Sequence, residues 1–236
     1  MPSEPNRADL LNLALMLVLT FSTGVIDAVG YLGLDRVFTG NMTGNVVLLG
    51  VGLTGTTDLP VLRPILALAA FCVGAVVAGR LLRGHAGHWS TRMTGVFATV
   101  TVILAGTGAA LVTVGDPGHE PWTGIATGAS ALAMGMQAAA ARVLKVADVT
   151  TVVVTSTLTG LAADSRLAGG AGANWVRRVL AIVLIGAGAG AGAAALLAHV
   201  SAGLLLAAAL TAGVTIAGPV GHHRIARPTP ADAVAD

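Results

Sequence analysis

The chain has 236 residues, of which 55% are hydrophobic and only 10% charged, with a formal net charge of +2 and a mean hydropathy of +0.83. A soluble domain of this length needs far less apolar material to fill one core, so the composition excludes an ordinary globular protein and points to an integral membrane one. No basic stripe interleaved with aromatics exists, which argues against nucleic acid as a partner. The single cysteine, Cys72, excludes a disulfide framework or a thiolate metal site within the chain.

Residues 1–9 form an N-terminal tail whose Glu4, Arg7 and Asp9 give no basic n-region, so the apolar run at 10–34 reads as a retained span and not a signal peptide. Further segments follow at 37–53, 64–83 and 93–115. The stretch Asp116-Pro117-Gly118-His119-Glu120-Pro121 cannot continue a helix and divides the chain into membrane halves 10–115 and 122–220. The second half repeats the series, at 122–143, 149–163, 179–198 and 200–220, before a tail at 221–236. In each half the second member is short and rich in Thr, Gly or Asn, whereas the others meet or approach the roughly 20 residues a spanning helix requires.

Loop charge decides how these segments are read. If both odd members turn back without crossing, six spans remain, and only Arg36 and Arg63 of the 13 basic residues fall outside. Eight spans abolish that bias. Seven spans, with only the first odd segment crossing, score as well as six. Three spans per half would make the halves inverted repeats, a known way to build a site at the bilayer midplane, and this favours six. Trp89, Trp122 and Trp175 each precede an apolar run and read as interface anchors.

The runs Gly24-Val25-Ile26-Asp27-Ala28, Val37-Phe38-Thr39-Gly40-Asn41-Met42-Thr43-Gly44-Asn45, Gly135-Met136-Gln137-Ala138-Ala139-Ala140-Ala141-Arg142 and Leu158-Thr159-Gly160-Leu161-Ala162-Ala163-Asp164 resemble the YoaK family, also called DUF1275 or UPF0700. The resemblance covers about residues 10–220 and implies a bacterial inner-membrane protein. It implies no substrate and no functional residues, since the family's function is unassigned. The chain departs from the family pattern at Ala138, where Asn is frequent.

Candidate site residues follow from polarity inside apolar text. Thr39-Gly40-Asn41-Met42-Thr43-Gly44-Asn45 aligns without a gap on Thr155-Ser156-Thr157-Leu158-Thr159-Gly160. If 38–53 is helical, Thr39 and Thr43 share one face and Asn41 and Asn45 another, while Thr155 and Thr159 repeat the first pair. These hydroxyls and amides would line a polar cavity for a small solute or ion, or merely bond across packed helices. Asp27 is the only carboxylate well inside a strongly apolar window, and an intramembrane acid is a candidate proton or cation site, or else a cap for a broken helix. Gln137 lies in the corresponding first segment of the second half and could complete the site opposite Asp27. Gly44 and Gly160 permit close packing, as do Gly186 and Gly190 within two interleaved G-x-x-x-G pairs, which also offer a homodimer face. His85, His88, His222 and His223 lack an acid or thiol to complete a metal site. No hydrolase motif is present, so enzymatic activity is not expected, and neither is a cofactor.

The expectation is an all-α polytopic membrane bundle of about six spans plus two broken or re-entrant segments, arranged as an inverted internal repeat with both termini cytoplasmic. The expected function is a small secondary transporter, with a channel-like pore or a membrane adaptor without solute as alternatives. Its partners would be the lipid bilayer and a small solute or ion.

Overall fold

The computed structural model describes residues 6–56, 58–85, 87, 89–114, 122–144, 154–172 and 174–225. Every regular element among them is helical: α1 (Arg7–Gly33), α2 (Met42–Gly52), α3 (Leu62–Leu81), α4 (Thr91–Val114), α5 (Trp122–Leu144), α6 (Val154–Ala163), a 3₁₀ turn at Arg166–Ala168, α7 (Trp175–Leu196) and α8 (Val200–Ile225). The expected polytopic helical bundle is what the chain forms. The hinge at 116–121, Lys145, His88 and the C-terminal tail from residue 226 lie outside the described residues.

Five helices, α1, α3, α4, α7 and α8, are long and apolar enough to cross a membrane. α5 has 23 residues, about 34 Å at 1.5 Å per residue, as long as a bilayer core is thick. Its Gly, Ala, Ser, Thr and Gln content keeps its hydropathy below theirs. Thirteen of its residues are buried, Gln137 among them, so it has little need of lipid-facing apolar side chains. The same logic sorts the apolar helices: the most hydropathic window of α1 is 61% buried and that of α7 only 17%, which puts α1 at the centre and α7 at the rim. By contrast α2 has 11 residues and α6 has 10, each about half the hydrocarbon thickness, so neither crosses alone.

Close backbone approach locks the long helices in pairs. α1 packs on α7 and α8, α3 on α5, and α4 on α8 and α5. A Cβ added at Gly24 of α1 would strike the Ile185 carbonyl of α7, and one at Gly188 of α7 would strike the Phe21 carbonyl of α1. In the α3–α5 pair the arrangement recurs: Gly135 faces the Phe71 carbonyl, and Gly74 the Leu132 carbonyl. Without a hydrophobic drive in lipid, such contacts supply the dispersion energy that holds spans together.

Two sequence expectations change here. Gly186 and Gly190 have open space where a Cβ would be, whereas Gly188 and Gly192 meet the α1 backbone at Phe21 and Val25; the alternate set of the interleaved glycines makes the packing contact. Trp89 is not simply an interface anchor. Its ring stacks on Phe97 with 5.5 Å between centroids and on His222 at 5.7 Å, and Gly218 of α8 leaves the space it occupies.

Candidate functional site

The chain leaves α1 through a tight reversal in which Asp35 and Arg36 both have positive φ, 59° and 55°, a backbone state that L-residues adopt at a cost. Asp35 then accepts a bond from Arg63 Nε at 2.9 Å. Arg63 is nearly buried, and only a glycine at 124 leaves room for its guanidinium beside α5. From this corner residues 37–41 run back along α1. Val37 N–H donates to the Gly30 carbonyl at 3.4 Å, and the Thr39 hydroxyl reaches the Ile26 carbonyl at 3.4 Å. The segment therefore descends two turns of α1 before α2 carries the chain away.

At the bottom of that descent stands Asp27. Its Oδ1 accepts the backbone N–H groups of Thr39 at 3.1 Å, Gly40 at 2.7 Å and Asn41 at 3.2 Å. Irregular backbone at membrane depth is tolerated only when its polar groups are satisfied within the protein. Asp27 satisfies three in succession. Asn45 satisfies the residue before them, accepting Phe38 N–H at 2.9 Å and donating to the Phe38 carbonyl at 2.6 Å. Asn41 caps α2, its Oδ1 accepting Gly44 N–H at 3.2 Å. Gly44 also leaves room for the Phe38 ring, which stacks on Tyr31 at 5.0 Å.

Much of the polar motif thus serves its own backbone. Because α2 begins at Met42, Thr39 and Asn41 lie outside it and the helical pairing of Thr39 with Thr43 does not hold: Thr39 is buried and Thr43 exposed. Asn41 and Asn45, expected to be costly in lipid without partners, find those partners in residues 38–44.

What the cap leaves over is one carboxylate oxygen. All three bonds to Asp27 go to Oδ1, and among the described residues Oδ2 accepts none. Thr23 Cγ2, Asp27 Oδ1 and Met134 Cε of α5 all lie within 3.4 Å of the point where a Gly40 Cβ would stand, so the carboxylate sits at the α1–α5 crossing. One turn along, Gln137 Nε2 donates to Thr23 Oγ1 at 3.2 Å. Asn12, Met16, Thr20, Thr23 and Asp27 recur at helical spacing on one stripe of α1, as do Thr127, Ser130, Met134 and Gln137 on α5. Four buried side-chain atoms among the described residues have no hydrogen-bond partner: Asn12 Oδ1, Thr127 Oγ1, Ser130 Oγ and Gln137 Oε1. All four belong to these two stripes.

Nothing in the sequence singled out Asn12, Thr20, Thr23, Thr127 or Ser130; their helical register with Asp27 and Gln137 was the available signal. The second-half echo stays apart from this seam. Thr155 and Thr159 are exposed, α6 packs on α7, and α2 and α6 make no contact. At Gly160 the guanidinium of Arg178 lies against the helix, 3.0 Å from where a Cβ would stand, and Arg178 bonds Asp164 Oδ2 at 2.7 Å. Those two contacts account for Gly160 and Asp164 of the Leu158–Asp164 motif. No group of three or more His, Cys, Asp or Glu side chains is placed to hold a metal among the described residues.

A family model described as a protein of unknown function, DUF1275, matches residues 15–217. The UPF0700 transmembrane protein YoaK of Bacillus subtilis strain 168 is 33% identical over 153 residues, 64% of this chain and 65% of that protein, so a little under two thirds of the relative is covered. No solved structure matches. A match of this extent places the chain in the DUF1275 family, whose fragments were visible as the four runs quoted from the sequence, and makes it a multi-pass membrane protein.

Proposed function

We propose that this DUF1275-family membrane protein is a small secondary transporter whose ion-binding centre is the free carboxylate oxygen of Asp27 in the α1–α5 seam. One observation carries the reading: a membrane-embedded acid with one oxygen uncommitted shares a pair of facing helical stripes with the four orphaned polar atoms. Buried polar groups in lipid are expensive and mark ion or proton paths. Three orphaned atoms are oxygens of Thr127, Ser130 and Gln137, and a fourth, from Asn12, extends the line toward the other end of α1. Oxygen atoms strung along a seam that holds one carboxylate suit passage of a proton or a small cation.

Two further features support the arrangement. The α1–α7 and α3–α5 pairs use equivalent glycines in equivalent ways, as two inverted repeats would. Six spans with both termini cytoplasmic, in the bacterial inner membrane, keep 11 of the 13 basic residues on the inner side. Rocking of one half against the other about the glycine-lined pairs would open the seam to each side in turn.

A purely structural role for Asp27 is favoured by its three N–H bonds. Single-cysteine labelling separates the readings without knowledge of the solute. In a Cys72→Ala background, Thr20→Cys and Thr127→Cys are each expected to react with a membrane-impermeant thiol reagent, from opposite sides, and Asp27→Asn is expected to change the ratio of the two rates at least threefold. Burial of both positions from both sides in wild type and variant alike would leave Asp27 as a cap only.

A further inference from the structure

The corner where α6, the 3₁₀ turn and α7 meet is unlike the rest of the surface. It forms an open cleft of about 570 Å³ lined by Leu161, Ala162, Ser165, Arg166, Leu167 and Trp175, with Gly172, within the size range of small-ligand sites. The Arg166 side chain makes no hydrogen bond or ion pair among the described residues, whereas Arg178 of α7 is held by Asp164. Arg177 and Arg178 also lie in the first turn of α7, where the helix dipole disfavours positive charge. The sequence places them there at a cost that an anion would offset.

Apolar side chains accompany the charge. Leu167, beside Arg166 on the turn, is wholly exposed at 101%, and Trp175 at the mouth of the cavity is 57% exposed. In water both are unfavourable. At a bilayer surface, a fully exposed leucine enters the acyl region while its arginine neighbour stays at phosphate level, and a tryptophan belongs at the boundary between them. Basic pockets at the ends of membrane helices hold anionic headgroups in this way.

We propose that this corner binds the headgroup phosphate of an anionic phospholipid, with Arg166 supplying the charge and Leu167 and Trp175 bordering the acyl chains. The lipid would brace α6 against α7 beside the Arg178–Asp164 pair. The inference does not depend on a transported solute.

The test uses full-length protein in nanodiscs containing brominated phosphatidylglycerol or brominated phosphatidylcholine at equal mole fraction. The Trp175 signal is the fluorescence difference between wild type and Trp175→Phe. At least twofold stronger quenching by the brominated anionic lipid is expected, falling to parity in Arg166→Gln. In Leu167→Ser the preference should persist but weaken. Equal quenching by both lipids in wild type would overturn the proposal, as would a preference that survives Arg166→Gln. Abolition of the preference by millimolar inorganic phosphate would also overturn it, by assigning the site to a free anion. Unchanged melting of the variants in detergent guards against misfolding, and the Leu167→Ser result stands independently of Arg166.

Discussion

Asp27 caps the backbone of residues 39–41, and substitution separates that structural role from the ion-binding role proposed for it. Asparagine keeps an acceptor at Oδ1 for the N–H groups of Thr39, Gly40 and Asn41; alanine keeps none. Asp27→Asn is expected to fold with stability within ~1 kcal/mol of wild type, because neutral bonds replace charge-assisted ones while a buried charge is removed. Asp27→Ala orphans three donors at membrane depth and is expected to lose about 3 kcal/mol or more. Denaturation in mixed micelles, followed by circular dichroism, compares the two. Similar losses in both would mean that the charge itself holds the loop. Asn45→Ala belongs to the same class: with Phe38 N–H and C=O both left unpaired, a loss of ~2 kcal/mol is expected by the same assay. Asn45→Leu should fare no better, since volume is not what the amide supplies.

The elements were more legible than their faces. Hydropathy and the prolines located eight helical segments close to the observed ones, because a spanning helix announces itself by length and composition. It did not show that the second segment starts only at Met42, since the backbone from 37 to 41 is held by Asp27 and Asn45 across a separation that no local pattern records. The interleaved glycines of α7 were likewise visible, but either set matches G-x-x-x-G equally. Partner geometry selects between them: Gly188 abuts the Phe21 carbonyl, whereas Gly186 faces open space. Gly188→Ala is therefore expected to cost ~1–3 kcal/mol by overpacking, and Gly186→Ala to be neutral or slightly stabilising through helix propensity. Gly135→Ala, opposite the Phe71 carbonyl, should match Gly188→Ala. Thermal melting of the three variants in one detergent decides the matter; equal effects of Gly186→Ala and Gly188→Ala would refute the assigned α1–α7 face.

At the scale of the molecule, the two halves exchange their contacts as a two-fold operation would require. α1 on α7 corresponds to α5 on α3, α1 on α8 to α5 on α4, and α2 on α3 to α6 on α7. The halves differ where chemistry is concerned. Gly24, which faces α7, and Gly135, which faces α3, occupy equivalent places, so Asp27 corresponds to Ala138 and α5 carries no carboxylate at that position. The sequence supplied the echo between the two polar segments, but their similarity does not bring them together, because each packs on the helix that follows it. If three spans per half make the repeat inverted, α2 and α6 approach the bilayer from opposite faces. Single cysteines at Gly55, just beyond α2, and at Ala168, in the 3₁₀ turn beyond α6, read this directly in a Cys72→Ala background. Position 55 is expected to label from the outside of intact cells, and position 168 only after the inner face is exposed. Labelling of both from one face would make the repeat parallel, and with it the rocking of one half against the other about a midplane site would fail, while the Asp27 cap and the glycine seams would stand unchanged.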